Sequence, residues 1–149
     1  MPGFRVGGSF STTQALKSDE GEKPIGVSLM EAHAKYDANG FMVVAEWGNI
    51  SYSDHSAKSS TGYYFDLGYD ISKMLNLDGK LYTWIRVTDI NPGVGHESED
   101  KKHYSKMMLG LTYKPINQIA FKLDYGTKTY TDKEANKVTL INLGVGYNF

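Results

Sequence analysis

The chain has 149 residues, with 16 Lys and Arg against 17 Asp and Glu, which is room for one domain rather than two. Near-zero net charge excludes the basic excess of a nucleic-acid binder, the lack of cysteine excludes disulfides and thiolate metal sites, and no run of about 18 apolar residues can form a membrane-spanning helix. A mean hydropathy of −0.42 points to a soluble domain, but 11 Tyr and 16 Gly beside only 4 Pro point to strands with two unlike faces.

Met1-Pro2-Gly3-Phe4-Arg5 has no basic start followed by an apolar core and a cleavage site. The expectation is a cytosolic protein or a piece of a longer one. Apolar and polar residues then alternate with period two, which in a strand sends them to opposite faces. In the first predicted strand Phe4, Val6, Gly8 and Phe10 oppose Arg5, Gly7, Ser9 and Ser11. In the second, Met30, Ala32, Ala34 and Tyr36 oppose Glu31, His33 and Lys35. In the third, Phe41, Val43, Ala45 and Trp47 oppose Val44, Glu46 and Gly48.

The pattern sharpens further along. Tyr63, Phe65, Leu67, Tyr69 and Ile71 alternate with Gly62, Tyr64, Asp66, Gly68 and Asp70. Leu81, Thr83, Ile85 and Val87 alternate with Tyr82, Trp84, Arg86 and Thr88. Met107, Leu109, Leu111 and Tyr113 alternate with Lys106, Met108, Gly110, Thr112 and Lys114. Ile119, Phe121, Leu123 and Tyr125 alternate with Ala120, Lys122, Asp124, Gly126 and Lys128. Ile141, Leu143, Val145, Tyr147 and Phe149 close the chain against Asn142, Gly144, Gly146 and Asn148. Eight strands result, with no helix beyond a short Lys73–Leu77 stretch.

The connections alternate too. Asp37–Gly40, Ser72–Gly79 and Pro115–Gln118 are short, and Asn39-Gly40 and Asp78-Gly79 carry positive-φ hairpin chemistry. Thr12–Pro24, Ser53–Ser60, Asp89–His103 and Thr131–Asn136 are long and polar. All long loops therefore gather at one end, and both termini fall at the other. Tyr69, Tyr113, Tyr147 and Phe149 sit on the apolar set beside the short turns, like an interfacial aromatic girdle. Glycine recurs on the polar set, which suits a crowded lumen better than a solvated outer face. The expected fold is all-β: an antiparallel transmembrane β-barrel with eight strands present, residues 1–149 forming a single domain in outer-membrane lipid. In hydrocarbon only a closed barrel leaves no strand edge unpaired.

Gly62–Ile71 with Leu81–Arg86, and Leu109–Pro115 running on to Lys122–Tyr125, resemble the late strands of phosphate-selective-type porins, the polyphosphate and phosphate porin family. Leu143-Gly144-Val145-Gly146-Tyr147-Asn148-Phe149 is similar to that family's last strand, and its terminal Phe149 to the signal read by the barrel-assembly machinery. The resemblance covers residues 62–149 well and 4–52 loosely. It implies a porin of the Gram-negative outer membrane, both termini periplasmic, passing small anionic solutes such as phosphate. Such porins are trimers of about 16 strands per chain, so this chain resembles a C-terminal half, and a homotrimer is implied for the full-length parent.

A pore's chemistry lies in its lumen-facing charges. The basic candidates for an anion path are Arg5, Lys35, Arg86, Lys106, Lys114, Lys122 and Lys128; the acidic wall residues are Glu31, Glu46, Asp66, Asp70 and Asp124. Counting back from the Ser72–Gly79 turn sets Asp66 opposite or diagonal to Arg86, and Lys106 and Lys122 near Asp124. Mixed charges that pair across strands and merely solvate the wall are the alternative. Trp84 shares parity with Arg86 and faces inward. His96, Glu97, Glu99, Asp100 and His103 match no zinc spacing and read as a solvated loop, and His33 as a hydrogen-bonded wall residue. No nucleophile matches His55 beside Asp54, so no catalytic residue, metal or cofactor is expected. Two other readings stay open: a complete eight-stranded barrel acting through adhesive loops, and a soluble lipocalin-like carrier. The carrier requires Phe65, Leu67, Leu111, Phe121 and Leu143 to be buried inside.

Overall fold

The structure, a computed structural model, describes residues 2–16, 25–53, 58–95, 102–131 and 137–148. It contains β1 (Phe4–Leu16), β2 (Ile25–Ala38), β3 (Phe41–Tyr52), β4 (Ser59–Asp70), a single 3-10 turn (Ser72–Leu75), β5 (Lys80–Val94), β6 (Tyr104–Ile116), β7 (Ile119–Tyr130) and β8 (Val138–Tyr147). The strands form one antiparallel sheet in the order β1 to β8, each paired with its chain neighbour. Among the described residues no helix is long and apolar enough to cross a membrane, which says nothing of strands.

All eight expected strands are present. Those at the long-loop end run further than the apolar alternation: β1 continues through Thr12 to Leu16, β5 through Asp89 to Val94, and β4 begins at Ser59. Backbone pairing continues where the side chains have turned polar, as in the rows Asn49–Thr61–Asn91 and Ser28–Ser51–Ser59. Hydropathy marks the apolar belt, not the end of the ladder.

The tight turns follow their residues. Asn39 and Gly40 both have positive φ (55° and 81°), as a two-residue hairpin turn requires. In the next connection Gly79 (84°) and Asn76 (50°) take positive φ, rather than Asp78. Asp70 closes that turn: its Oδ1 accepts from the backbone N–H of Ser72 (3.0 Å), the Ser72 hydroxyl (2.6 Å) and the backbone N–H of Leu81 (3.3 Å). Both chain ends are tied at the short-turn side, where Asp37 N–H donates to Gly3 O and Asn148 N–H to Gln118 O.

The register aligns the two sets across the whole sheet. One row reads Phe4–Tyr36–Val43–Leu67–Ile85–Leu109–Tyr125–Ile141. Its neighbour on the other face reads Arg5–Lys35–Val44–Asp66–Arg86–Met108–Gly126–Leu140. On β3 to β8 the apolar belt is four residues deep, roughly 20 Å along a strand at about 3.3 Å per residue.

Burial is inverted relative to a water-soluble fold. Asp66 on the polar face is 6% exposed, while its neighbours Phe65 and Leu67 on the apolar face are 40% and 41% exposed. Leu111, Phe121 and Leu143 are likewise exposed. The one buried apolar side chain among the described residues, Met108, lies on the polar face. Among the described residues no second layer covers the apolar side, whereas a soluble domain buries it between layers. Among the described residues the sheet does not close on itself: β1 pairs with β2 and β8 with β7, and not with each other.

Candidate functional site

The polar face carries the chemistry. At its centre Asp66 and Arg86 are direct partners across β4 and β5. Arg86 donates from Nε to Asp66 Oδ1 and from Nη2 to Oδ2, both at 2.6 Å. Two parallel bonds of this kind fix the guanidinium plane as well as the charge. Arg86 also lies 4.7 Å from the centre of the Tyr64 ring, and the Tyr64 hydroxyl donates to Glu46 Oε2 at 2.8 Å. Asp66–Arg86–Tyr64–Glu46 thus runs as one connected bar over β3 to β5.

Arg86 is therefore compensated by a buried carboxylate. Lys35 pairs with Asp37 (3.3 Å). Lys106, Lys114, Lys122 and Lys128 form no ion pair among the described residues. Lys106 and Lys128 face each other directly across β6 and β7. Two like charges in that position repel, and two tyrosines offset the repulsion: Lys128 Nζ sits 3.7 Å from the centre of the Tyr104 ring and 4.4 Å from that of Tyr130, with Lys106 Nζ 6.0 Å from Tyr104. Tyr104 and Tyr130 pack edge to face. A cation over an aromatic face keeps its charge while gaining a partner.

Of the two lysines expected near Asp124, Lys122 is its neighbour on the same face and Lys106 is not. The cross-strand partners of Asp124 are Gly110 and Asn142, and the Asn142 amide donates to it. Lys106 lies four residues from Gly110 along β6, about 13 Å at the strand rise, too far for the expected pairing. Lys122 is two residues from Asp124 on the same face but forms no ion pair with it.

Charge is segregated across the wall. On β1 to β4 the polar face carries Arg5 and Lys35 against Glu31, Asp37, Glu46, Asp66 and Asp70. On β5 to β8 it carries Lys80, Arg86, Lys106, Lys114, Lys122 and Lys128 against Asp124 alone, among the described residues. The Asp66–Arg86 bridge sits on the seam. Lys80 was missed because it follows the turn glycine, although its parity with Tyr82 and Trp84 identifies its face. Tyr104 and Tyr130 were missed too, and their parity with Lys106 and Lys128 was the available signal.

Trp84 faces the polar side, opposite Gly110, and its indole N–H donates to Thr112 Oγ1 at 3.1 Å. His33 is hydrogen-bonded to Glu31, the wall role expected of it. On the apolar face Tyr69 packs on Phe41 with ring centres 4.7 Å apart, the Tyr113 hydroxyl donates to Asp78 O (3.1 Å), and Tyr147 is exposed. Phe149, residues 96–100 and the Asp54–His55 pair lie outside the described residues. His103, at the end of that loop, has Nε2 2.8 Å from Asp89 Oδ1.

The geometry is that of a sheet with an exposed apolar face and an opposite face built from charges, hydroxyls and glycines. No known protein-family model matches the chain, and no curated protein sequence is significantly similar to it.

Proposed function

We propose that the chain is a segment of an outer-membrane β-barrel, the C-terminal part of a phosphate-selective-type porin, whose polar face lines a water-filled path for passive diffusion of small anions such as phosphate. The observation that carries this reading is the exposed apolar belt, which meets no charge short of Asp89 at its long-loop rim, backed by a polar face with unpaired lysines. In water such a belt is a liability; against hydrocarbon it is the stable arrangement. The lipocalin-like alternative needs those same side chains inside, and their exposure argues against it.

The open edges bear on size. Hydrocarbon tolerates no unpaired strand edge, so β1 and β8 must be paired in the membrane. Their lack of mutual pairing favours further strands of a larger parent over closure at eight, and with it a pore over a filled adhesive barrel. In this reading the short turns and both termini are periplasmic, the long loops face outward, Phe149 engages the barrel-assembly machinery, and the parent is a homotrimer. No catalysis and no cofactor are invoked.

The two tryptophans test the reading, because Trp47 lies on the apolar face and Trp84 on the polar face. In vesicles of brominated phospholipid, Trp47 fluorescence should be quenched and Trp84 fluorescence spared. Equal quenching of both, or of neither, overturns the membrane reading. In planar bilayers the reversal potential across a salt gradient should show anion preference.

A further inference from the structure

We propose that the hollow beside Trp84 is a docking site for anions that carry a ring, either sugar phosphates or aromatic carboxylates. The proposal takes its purpose from the anion-pore reading, but its chemistry stands on the wall alone.

The indole is held in place unusually firmly. A Cβ built on Gly110 would lie 2.1 Å from Trp84 Cζ2 and 2.3 Å from Cε2, so the ring occupies the space that any side chain at 110 would fill. Its far end is fixed by the bond to Thr112, which is itself buried. Gly68 flanks it on the other strand. The ring's only polar group is therefore already satisfied, and what it offers to the hollow is apolar.

That hollow has a volume of about 330 Å³ and includes Tyr82, Lys114 and Lys122 beside Trp84. This is at the small end of ligand pockets, the scale of a single ring with one charged group. The lining sets Lys35, Arg86, Lys114 and Lys122 against three carboxylates, a net charge of +1; Asp66 is engaged by Arg86, Asp37 by Lys35, and Asp124, still charged, by the neutral Asn142 amide. The ammonium groups of Lys114 and Lys122 are not, among the described residues. Unspent positive charge thus stands beside a preordered aromatic surface. A phosphate or carboxylate satisfies the first, and a sugar or aromatic ring the second. A bare inorganic ion uses only the lysines, and a neutral sugar only the indole.

The test uses the full chain folded in detergent micelles, carrying Trp47→Phe so that Trp84 is the sole indole. Its fluorescence is titrated with glucose 6-phosphate, benzoate, inorganic phosphate and glucose. At least one of the two ring-bearing anions should bind about tenfold or more tightly than both phosphate and glucose, the gain expected from one stacked ring. Whichever binds more tightly identifies the ring. Lys114→Gln with Lys122→Gln should reduce it to the affinity of a neutral sugar. Gly110→Ala, which displaces the indole, should reduce it to that of phosphate. Should Gly110→Ala not fold, Trp84→Leu followed by calorimetry replaces it. Equal affinity for phosphate and the ring-bearing anions, no binding of any probe, or indifference to the lysine changes overturns the proposal. Binding without pore conductance would instead count against the porin reading and leave this site standing.

Discussion

Replacing Leu109 by Arg puts a charge in the middle of the apolar belt. Leu109 is flanked by Met107 and Leu111 on its own strand and by Ile85 and Tyr125 across it, and it is 54% exposed. On a strand face bathed in water such a change shifts stability by at most about 0.5 kcal/mol. At the midplane of a bilayer an arginine costs about 2–4 kcal/mol, roughly 30- to 700-fold in the folding equilibrium. The matched control is Asn142→Arg, which puts the same charge on the polar face, where it can meet Asp124. Urea titration of the chain folded into phospholipid vesicles, followed by tryptophan fluorescence, measures both. A Leu109→Arg penalty no larger than that of Asn142→Arg would refute the assignment of this face to lipid.

Four further outcomes follow from the wall. Arg86→Ala leaves the Asp66 carboxylate buried without its partner and should cost about 1–3 kcal/mol in the same titration; Arg86→Lys should recover little of it, since an ammonium cannot make the paired bonds. In planar bilayers, converting Lys106, Lys122 and Lys128 to Gln should lower anion preference, most visibly well below 0.1 M salt, where screening exceeds about 10 Å. The double change Asp66→Asn with Arg86→Gln should leave that preference nearly unaltered, because it removes a charge and its compensator together. Tyr64→Phe should cost about 1 kcal/mol by removing the hydrogen bond to Glu46.

The strands and their faces were legible because period two is a local property: each residue declares its side by parity with its neighbours. Trp84 and the Asp66–Arg86 pair could be placed for that reason, the latter because only a short turn separates their strands. The separation of Asp124 from Lys106 could not, because it depends on which residue of β6 stands opposite, and that register is set by the whole ladder. The outer reaches of β1, β4 and β5 have the composition of loops, since serine, threonine and asparagine look the same in an exposed strand and in a turn. The tyrosines beside Lys106 and Lys128 have the composition of interfacial anchors, whereas their parity sets them on the lysines' face.

The ladder's irregularities have a distribution of their own. Register shifts fall between Thr13 and Leu16, between Ser59 and Thr61, and between Tyr113 and Ile116. All three lie at strand ends, and the belt between them is in strict step. A single-residue insertion or deletion there would hand every subsequent side chain of that strand to the opposite face, delivering leucines to the polar side and lysines to the apolar one. The chain can therefore drift in length only at its margins. Within the belt, residues can be exchanged but neither added nor removed, so change in this molecule is confined to substitution on two non-interchangeable alphabets, one for each face.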